Sequence, residues 1–92
     1  MKINFYATFR PIVGGKTVEF DLKQDLTVRQ LVDVIVTRFP DMGSQMLDAN
    51  GEIYSHVHFF VNGRDACYLD DGYNYVVQAE DTLNIFPPVG GG

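Results

Sequence analysis

The sequence is poor in cysteine and in basic residues. Cys67 is the only cysteine in 92 residues, which excludes an internal disulfide framework and a zinc or iron–sulfur site built from several thiolates. A single thiol fits a reducing, cytoplasmic compartment. The seven Lys and Arg residues are scattered and the net charge is −5, so the basic stripe of a nucleic-acid-binding protein is missing. We therefore expect protein partners and no nucleic acid.

Long apolar runs are also missing. No run approaches the roughly 20 residues of a membrane-spanning helix, and the N-terminal residues lack the continuous apolar segment of a signal peptide. We therefore expect a soluble, unprocessed chain with no membrane partner. Hydrophobic residues nevertheless make up 46% of the sequence, which is enough for one modest core in a chain of 92 residues.

The first part of the chain predicts two strands. Apolar residues occupy every second position over residues 2–9 and again over residues 17–22, which is the period of a half-buried strand. Pro11 and the pair Gly14-Gly15 lie between these segments and favour a change of direction. We therefore predict a hairpin.

A helix is predicted to begin at Thr27, whose side chain can cap it while Gln30 reaches back as the capping-box partner and Leu26 packs on Leu31. Pro40 should end this helix, because proline disfavours helical geometry in the preceding residue. The apolar residues that recur at helical spacing should form one face against the sheet. They are Val28, Leu31, Val32, Ile35 and Phe39.

The rest of the chain predicts further strands. Residues 41–55 are the least regular, although Asn50-Gly51 favours a turn in a short ribbon. Residues 56–61 alternate as a central strand closed by Asn62-Gly63, and residues 64–77 should contain a short edge strand and a turn at Asp70-Asp71-Gly72. Residues 82–86 form a last strand, which Pro87-Pro88 ends.

The order of these elements, a hairpin, a helix and then further strands, indicates an α+β fold of the β-grasp type. In that fold one main helix covers one face of a mixed sheet. We expect a single domain over residues 1–88, followed by a flexible glycine tail over residues 89–92.

The tail suggests a chemistry for the end of the chain. Three consecutive glycines have no turn or packing role that we can assign, but a peptide without side chains can enter an enzyme channel too narrow for any Cβ. The terminal carboxylate of Gly92, preceded by Gly91, could then reach a nucleotide bound there. A carboxylate becomes a good acyl donor only as a mixed anhydride with AMP, so a separate adenylating enzyme must supply ATP. Sulfide could then displace AMP and leave a thiocarboxylate.

Two segments carry a family resemblance. Val61-Asn62-Gly63-Arg64 and residues 80–92, above all Phe86-Pro87-Pro88-Val89 before the terminal glycines, resemble the sulfur-carrier subunit of molybdopterin synthase, in the MoaD/ThiS-type ubiquitin-like family. Gly90 departs from the pattern, since such tails usually carry a small residue such as Ala or Ser there. Residues 41–55 and 68–77 contain no motif that we can match.

The resemblance implies a β-grasp fold, a terminal thiocarboxylate on Gly92 and insertion of the tail into the large subunit of the synthase. The implied partners are an E1-like adenylating enzyme that uses ATP, a sulfur donor protein and the large synthase subunit, with no cofactor bound to the chain itself. A ubiquitin-like protein modifier, or a carrier of sulfur for tRNA, thiamine or cysteine, stays open. So does a β-grasp interaction module with an incidental tail.

The predicted strands also indicate a docking surface. An aromatic group falls on the opposite face of the sheet, beside the tail, if the inward residues of the later strands face the helix. Those inward residues are Val57, Phe59, Val61, Leu83 and Ile85. A second small core that covers these side chains is the alternative. The predicted partner-binding residues are Tyr6, His58, Phe60, Phe86, Pro87, Pro88, Val89 and Gly90.

Other polar residues have ordinary explanations. His56 and His58 lie two apart on one predicted strand face, but no further cysteine or carboxylate is placed to complete a metal site. Cys67 has no predicted histidine partner, so we expect a small buried or edge-strand residue instead of a nucleophile. No catalytic set can be derived from the spacing of residues, and we do not expect an enzyme.

Overall fold

The computed structural model describes residues 1–22 and 24–87. In this part of the chain, five strands form the main sheet and two form a smaller one. The strands are β1 (Lys2–Phe5), β2 (Thr17–Glu19), β3 (Leu26–Thr27), β4 (His58–Val61), β5 (Arg64–Asp65), β6 (Val76–Val77) and β7 (Leu83–Phe86), and the helices are α1 (Phe9–Val13), α2 (Val28–Arg38) and α3 (Gly43–Met46). Short 3₁₀ turns cover Pro40–Met42, Ala66–Tyr68 and Gly72–Asn74.

The main sheet has the order β2-β1-β7-β4-β5 and is mixed. The first and last strands lie side by side at its middle and run parallel, with Ile3 opposite Leu83 and Phe5 opposite Ile85. The other neighbours in the sheet are antiparallel. A parallel pair requires a crossover, and α2 lies in the connection between β1 and β7. This is the predicted β-grasp arrangement.

Helix α2 begins as the sequence predicts. The Thr27 side chain accepts a hydrogen bond from the Gln30 backbone N–H at 3.1 Å, and the Gln30 side chain accepts one from the Thr27 N–H at 2.9 Å. The helix ends at Arg38, two residues before Pro40. Its apolar face is buried with the inward residues of the sheet in one cluster, so packing stabilises a helix whose β-branched residues are indifferent helix formers.

The core also matches the predicted inward positions. Each of the later strand residues predicted to face the helix is at most 3% exposed, and Met42 and Met46 complete the core from the segment after α2. Those residues are Val57, Phe59, Val61, Leu83 and Ile85.

The prediction of a strand over residues 2–9 was wrong beyond Phe5. Ala7 has φ +50°, a conformation rare for residues with a side chain, and the N–H of Phe9 bonds back to the carbonyl of Tyr6. The chain then forms α1, which buries Phe9 and Val13. Although β1 and β2 pair as a hairpin does, α1 occupies their connection.

Helix α1 includes Pro11 because the first turn of a helix has no internal partner for its N–H groups. The segment ends at Gly14, whose φ of +83° is freely available to glycine.

The turns of the later half are confirmed. Leu47 and Ile53 form an antiparallel bridge around Asn50-Gly51, and Asn62 and Gly63, both with positive φ, join β4 to β5. The strand predicted over residues 56–61 begins only at His58. His56 lies in the preceding turn, where its ring stacks on Tyr54, so the two histidines do not share a strand face.

Candidate functional site

An aromatic face covers the side of the main sheet that α2 leaves open. Tyr6 stacks on Phe86 with ring centroids 4.1 Å apart and planes 11° apart, and Phe60 meets Phe86 edge to face at 5.3 Å. The His58 ring follows at 6.3 Å from Phe60. We use the name aromatic face for Tyr6, His58, Phe60 and Phe86, and the prediction that these four share the face opposite the helix is confirmed.

Strand alternation brings these side chains together. His58 lies opposite Phe86 in the antiparallel pair of β4 and β7, and Phe60 lies opposite Asn84. Phe59 and Ile85, one position along, point into the core and are at most 1% exposed. Successive side chains of a strand point to opposite sides, so burying one set displays the other.

Nothing in the described chain covers the aromatic face. All four of its side chains are half-buried, and Tyr68 at its edge is 79% exposed. The alternative of a second small core over these residues was therefore wrong. The segment around β5 borders the face and leaves a shallow groove. That groove is lined by Tyr6, His58, Phe60, Gly63, Asp65, Tyr68, Asn84 and Phe86.

Asp65 joins the face to the edge strand. Its carboxylate accepts a hydrogen bond from the ring N–H of His58 at 2.8 Å and another from the Cys67 backbone N–H at 3.1 Å. The contact between His58 and a carboxylate was not predicted from the sequence. Cys67 is exposed in a 3₁₀ turn, so the expectation of a buried or edge-strand cysteine was wrong.

These contacts shift the pKa of two side chains, Asp65 and Cys67. Partial burial raises the pKa of the Asp65 carboxyl, but hydrogen bonds from Cys67 and His58 outweigh it and hold the pKa below its ordinary value. The same carboxylate raises the pKa of the Cys67 thiol, which disfavours the thiolate. Cys67 is therefore poorly suited to act as a nucleophile.

Asp65→Asn is expected to lower the free energy of unfolding by about 1 kcal/mol at pH 7. Because folding lowers the pKa of Asp65, its carboxylate stabilises the fold above the unfolded value of 3.8. That stabilisation is lost as pH falls through the folded pKa, so the difference between wild type and variant should shrink there. Urea unfolding from pH 7 to pH 2 measures this difference, with the exposed Asp70→Asn as control. A constant difference over the whole range would contradict the assignment.

A series of side-chain hydrogen bonds, which we call the ladder, runs along the same side of the sheet from Tyr6 through Asn84 and Asn4 to Thr17. The Oδ1 atom of Asn84 accepts hydrogen bonds from the Tyr6 hydroxyl at 2.9 Å and from Asn4 Nδ2 at 3.0 Å. Asn4 Oδ1 in turn accepts one from the Thr17 hydroxyl at 2.7 Å. Above the Tyr6 ring lies the guanidinium carbon of Arg10, 5.2 Å from its centroid.

Three neighbours of the face, Arg10, Asp65 and Asn84, were not predicted from the sequence. Of the three, only the position of Asn84 could have been inferred from the sequence. It stands two places before Phe86 in the predicted last strand, so the two side chains lie on the same side of the sheet.

The described chain ends beside the aromatic face, at Pro87. Pro87 is buried and directly follows Phe86, the last residue of β7. Pro88, Val89, Gly90, Gly91 and Gly92 lie outside the described residues, so their predicted roles stay predictions.

Membrane-spanning helices and metal clusters are both missing from residues 1–22 and 24–87. These residues contain no helix long and apolar enough to cross a membrane. Nor do they bring together three or more His, Cys, Asp or Glu side chains that could hold a metal ion.

Comparison with known proteins identifies the family. The ThiS family profile matches residues 3–92. Two relatives from Haloferax volcanii match this chain over its whole length. Small archaeal modifier protein 3 is 30% identical over 92 residues, which cover 98% of that protein, and small archaeal modifier protein 1 is 32% identical over 92 residues, which cover all of it.

Solved structures agree with this relationship. The crystal structure of SAMP1 from Haloferax volcanii has a TM-score of 0.83 at 31% identity, covering 99% of this chain and 97% of that one. A chain of the Amycolatopsis orientalis BexX/CysO complex has a TM-score of 0.78 at 25% identity, with 99% and 98% covered. A candidate molybdopterin converting factor subunit 1 from Pyrococcus furiosus has a TM-score of 0.71 at 26% identity, with 96% and 95% covered. The chain therefore belongs to the ThiS family, as a small ubiquitin-like β-grasp protein of the sulfur-carrier and modifier type, which is not itself an enzyme.

Proposed function

We propose that the carboxylate of Gly92 is the working group of this carrier, and that the aromatic face docks the enzyme that activates it. One observation carries the proposal: Phe86 belongs to the aromatic face, and in the sequence only Pro87 and Pro88 separate it from the predicted tail. A fully extended peptide over residues 87–92 spans at most about 20 Å. An enzyme that holds Gly92 in its active site therefore lies within reach of the aromatic face.

The chemistry proceeds in two displacements. A carboxylate oxygen of Gly92 attacks the α-phosphorus of ATP and pyrophosphate leaves, which gives an acyl adenylate. A hydrosulfide ion then attacks the carbonyl carbon, and AMP leaves with the electron pair of the broken C–O bond. The thioacid that forms loses its S–H proton to solvent, and the resulting thiocarboxylate is a better nucleophile than the carboxylate. The adenylating enzyme holds ATP, and Gly91 brings no side chain into its channel.

We further propose that the thiocarboxylate serves molybdenum cofactor synthesis in the cytoplasm, with the chain as the small subunit of molybdopterin synthase. The Phe86-Pro87-Pro88-Val89 segment and the likeness to the Pyrococcus furiosus protein support this role. The partners are an E1-like adenylating enzyme, a sulfur donor protein and the large subunit of the synthase. Tyr6, His58, Phe60 and Phe86 would contact these partners, together with Pro87, Pro88, Val89 and Gly90.

A ubiquitin-like modifier is the second candidate, and the names of the two Haloferax volcanii relatives favour it. In that role a lysine amine of a target protein, and not hydrosulfide, displaces the activated leaving group from Gly92 and forms an isopeptide bond. Transfer of sulfur to cysteine, tRNA or thiamine precursors uses the same thiocarboxylate. All of these roles begin with the same acyl adenylate.

Intact-mass spectrometry after incubation with ATP, the adenylating enzyme and sulfide separates these roles. We expect a mass gain that corresponds to the exchange of one oxygen for one sulfur, located in the C-terminal peptide. A ladder of higher-mass conjugates with lysine linkages would instead indicate the modifier role. A second carrier that the same enzyme is known to activate serves as the positive control. An unchanged mass of this chain while that control is activated would contradict both the sulfur-carrier role and the modifier role.

A further inference from the structure

We infer that Asn84 is a positioning residue for docking, because it fixes the ring of Tyr6 and, through that ring, the orientation of Phe86. This inference rests on the proposed function, since it assigns a role in docking of the activating enzyme. It concerns a polar residue in the middle strand of the main sheet, beside the aromatic side chains.

Within the aromatic face, the hydrogen bond of Asn84 is to Tyr6. It sits in β7 two residues before Phe86, on the same side of the sheet, and lies opposite Asn4 of β1 and Phe60 of β4. A single side-chain oxygen accepts two hydrogen bonds there, from the Tyr6 hydroxyl and from Asn4. Asn4 in turn accepts a hydrogen bond from the Thr17 hydroxyl.

The hydrogen bond to Asn84 matters for Tyr6 because Tyr6 belongs to no strand or helix. It follows the last residue of β1 and precedes Ala7, where the backbone turns at φ +50°. Its ring is half-buried. Three contacts fix its orientation: the hydroxyl on Asn84, the face against Phe86 and the guanidinium of Arg10 above the ring.

The Tyr6 ring in turn packs against one face of the Phe86 ring. The two rings are nearly parallel at 4.1 Å, and Phe60 closes another side edge to face. Phe86 is the last strand residue before Pro87, so it is the aromatic-face residue nearest in sequence to the predicted tail. A docking surface whose rings are already ordered loses less conformational entropy when a partner binds.

Substitutions along the ladder test the inference. Asn84→Ala and Tyr6→Phe each remove the same hydroxyl hydrogen bond, and each should raise KM for the carrier in the adenylation assay about fivefold, with kcat unchanged. The double variant should show no more than the larger single effect, since both changes break one interaction. Thr17→Ala, which removes a bond of the same ladder without touching Tyr6, is the control and should keep the wild-type KM.

Proton NMR supplies a readout that does not depend on the enzyme. Stacking on Tyr6 should shift the ring protons of Phe86 upfield, and this shift should diminish in Asn84→Ala and Tyr6→Phe but persist in Thr17→Ala. If Asn84→Ala unfolds the protein, Tyr6→Phe carries the test alone.

The possible outcomes are distinct. An unchanged Phe86 shift in both variants overturns the positioning role, and a changed shift with wild-type KM overturns its importance for docking. Additive effects in the double variant would show that Asn84 does not act through Tyr6. A wild-type chain that shows the Phe86 shift but is never adenylated overturns the proposed function, and the docking role with it.

Discussion

Deletion of Gly92 is expected to abolish adenylation by the cognate activating enzyme, with a fall of about 100-fold or more in kcat/KM. The new terminal carboxylate would sit one residue, about 3.5 Å, short of the α-phosphate. Thermal stability should stay nearly unchanged, because the described core lies between Ile3 and Ile85. Release of pyrophosphate measures the reaction, and calorimetry measures the melting temperature.

Gly90→Ala is the matched control for this deletion. It changes the same tail but keeps its length, and the tails that this sequence resembles usually carry a small side chain at this position. We expect this variant to be activated at close to the wild-type rate. Full activation of the chain that lacks Gly92 would contradict the assignment of the working group.

Phe60→Ala is expected to raise KM for the carrier about 30-fold in the same assay, because truncating a central aromatic side chain of an interface typically costs about 2 kcal/mol of binding free energy. Phe60 lies in β4, far from the tail in sequence, so it can act on adenylation only through the surface to which it belongs. Steady-state kinetics with varied carrier concentration gives KM and kcat separately.

Phe39→Ala serves as the control for general destabilisation. Phe39 is also half-buried and packs edge to face on Phe20, but on the helical side of the sheet. This variant should lose thermal stability and retain the wild-type KM. Equal kinetic losses in the two variants would mean that stability, and not docking, explains the result for Phe60.

The sequence predicted elements whose signals are local. Thr27 and Gln30 form the capping box that their spacing predicts, and Asn62-Gly63 forms the turn that its positive-φ preference predicts. Both depend on residues at most three positions apart. The aromatic face was predicted for a related reason, because alternation in two strands determines the side of the sheet on which Phe60 and Phe86 lie.

Features that depend on distant contacts could not be predicted. Phe9 continues the alternation of β1, yet its burial in α1 depends on packing that no local pattern records. Asp65 meets His58 only because β4 and β5 pair across a turn, and its neighbour Cys67 is exposed because that edge ends in a 3₁₀ turn. The contact of Asn84 with Asn4 joins residues 80 positions apart.

The parallel pairing of β1 with β7 has a consequence for biosynthesis. The strand at the middle of the five-stranded sheet is the last strand of the described chain, so the sheet cannot be completed until residues 83–86 have left the ribosome. Tyr6 and Phe86 come together only at that moment. A nascent or truncated chain that lacks residues 83–86 therefore has no stacked pair, and its aromatic face is incomplete.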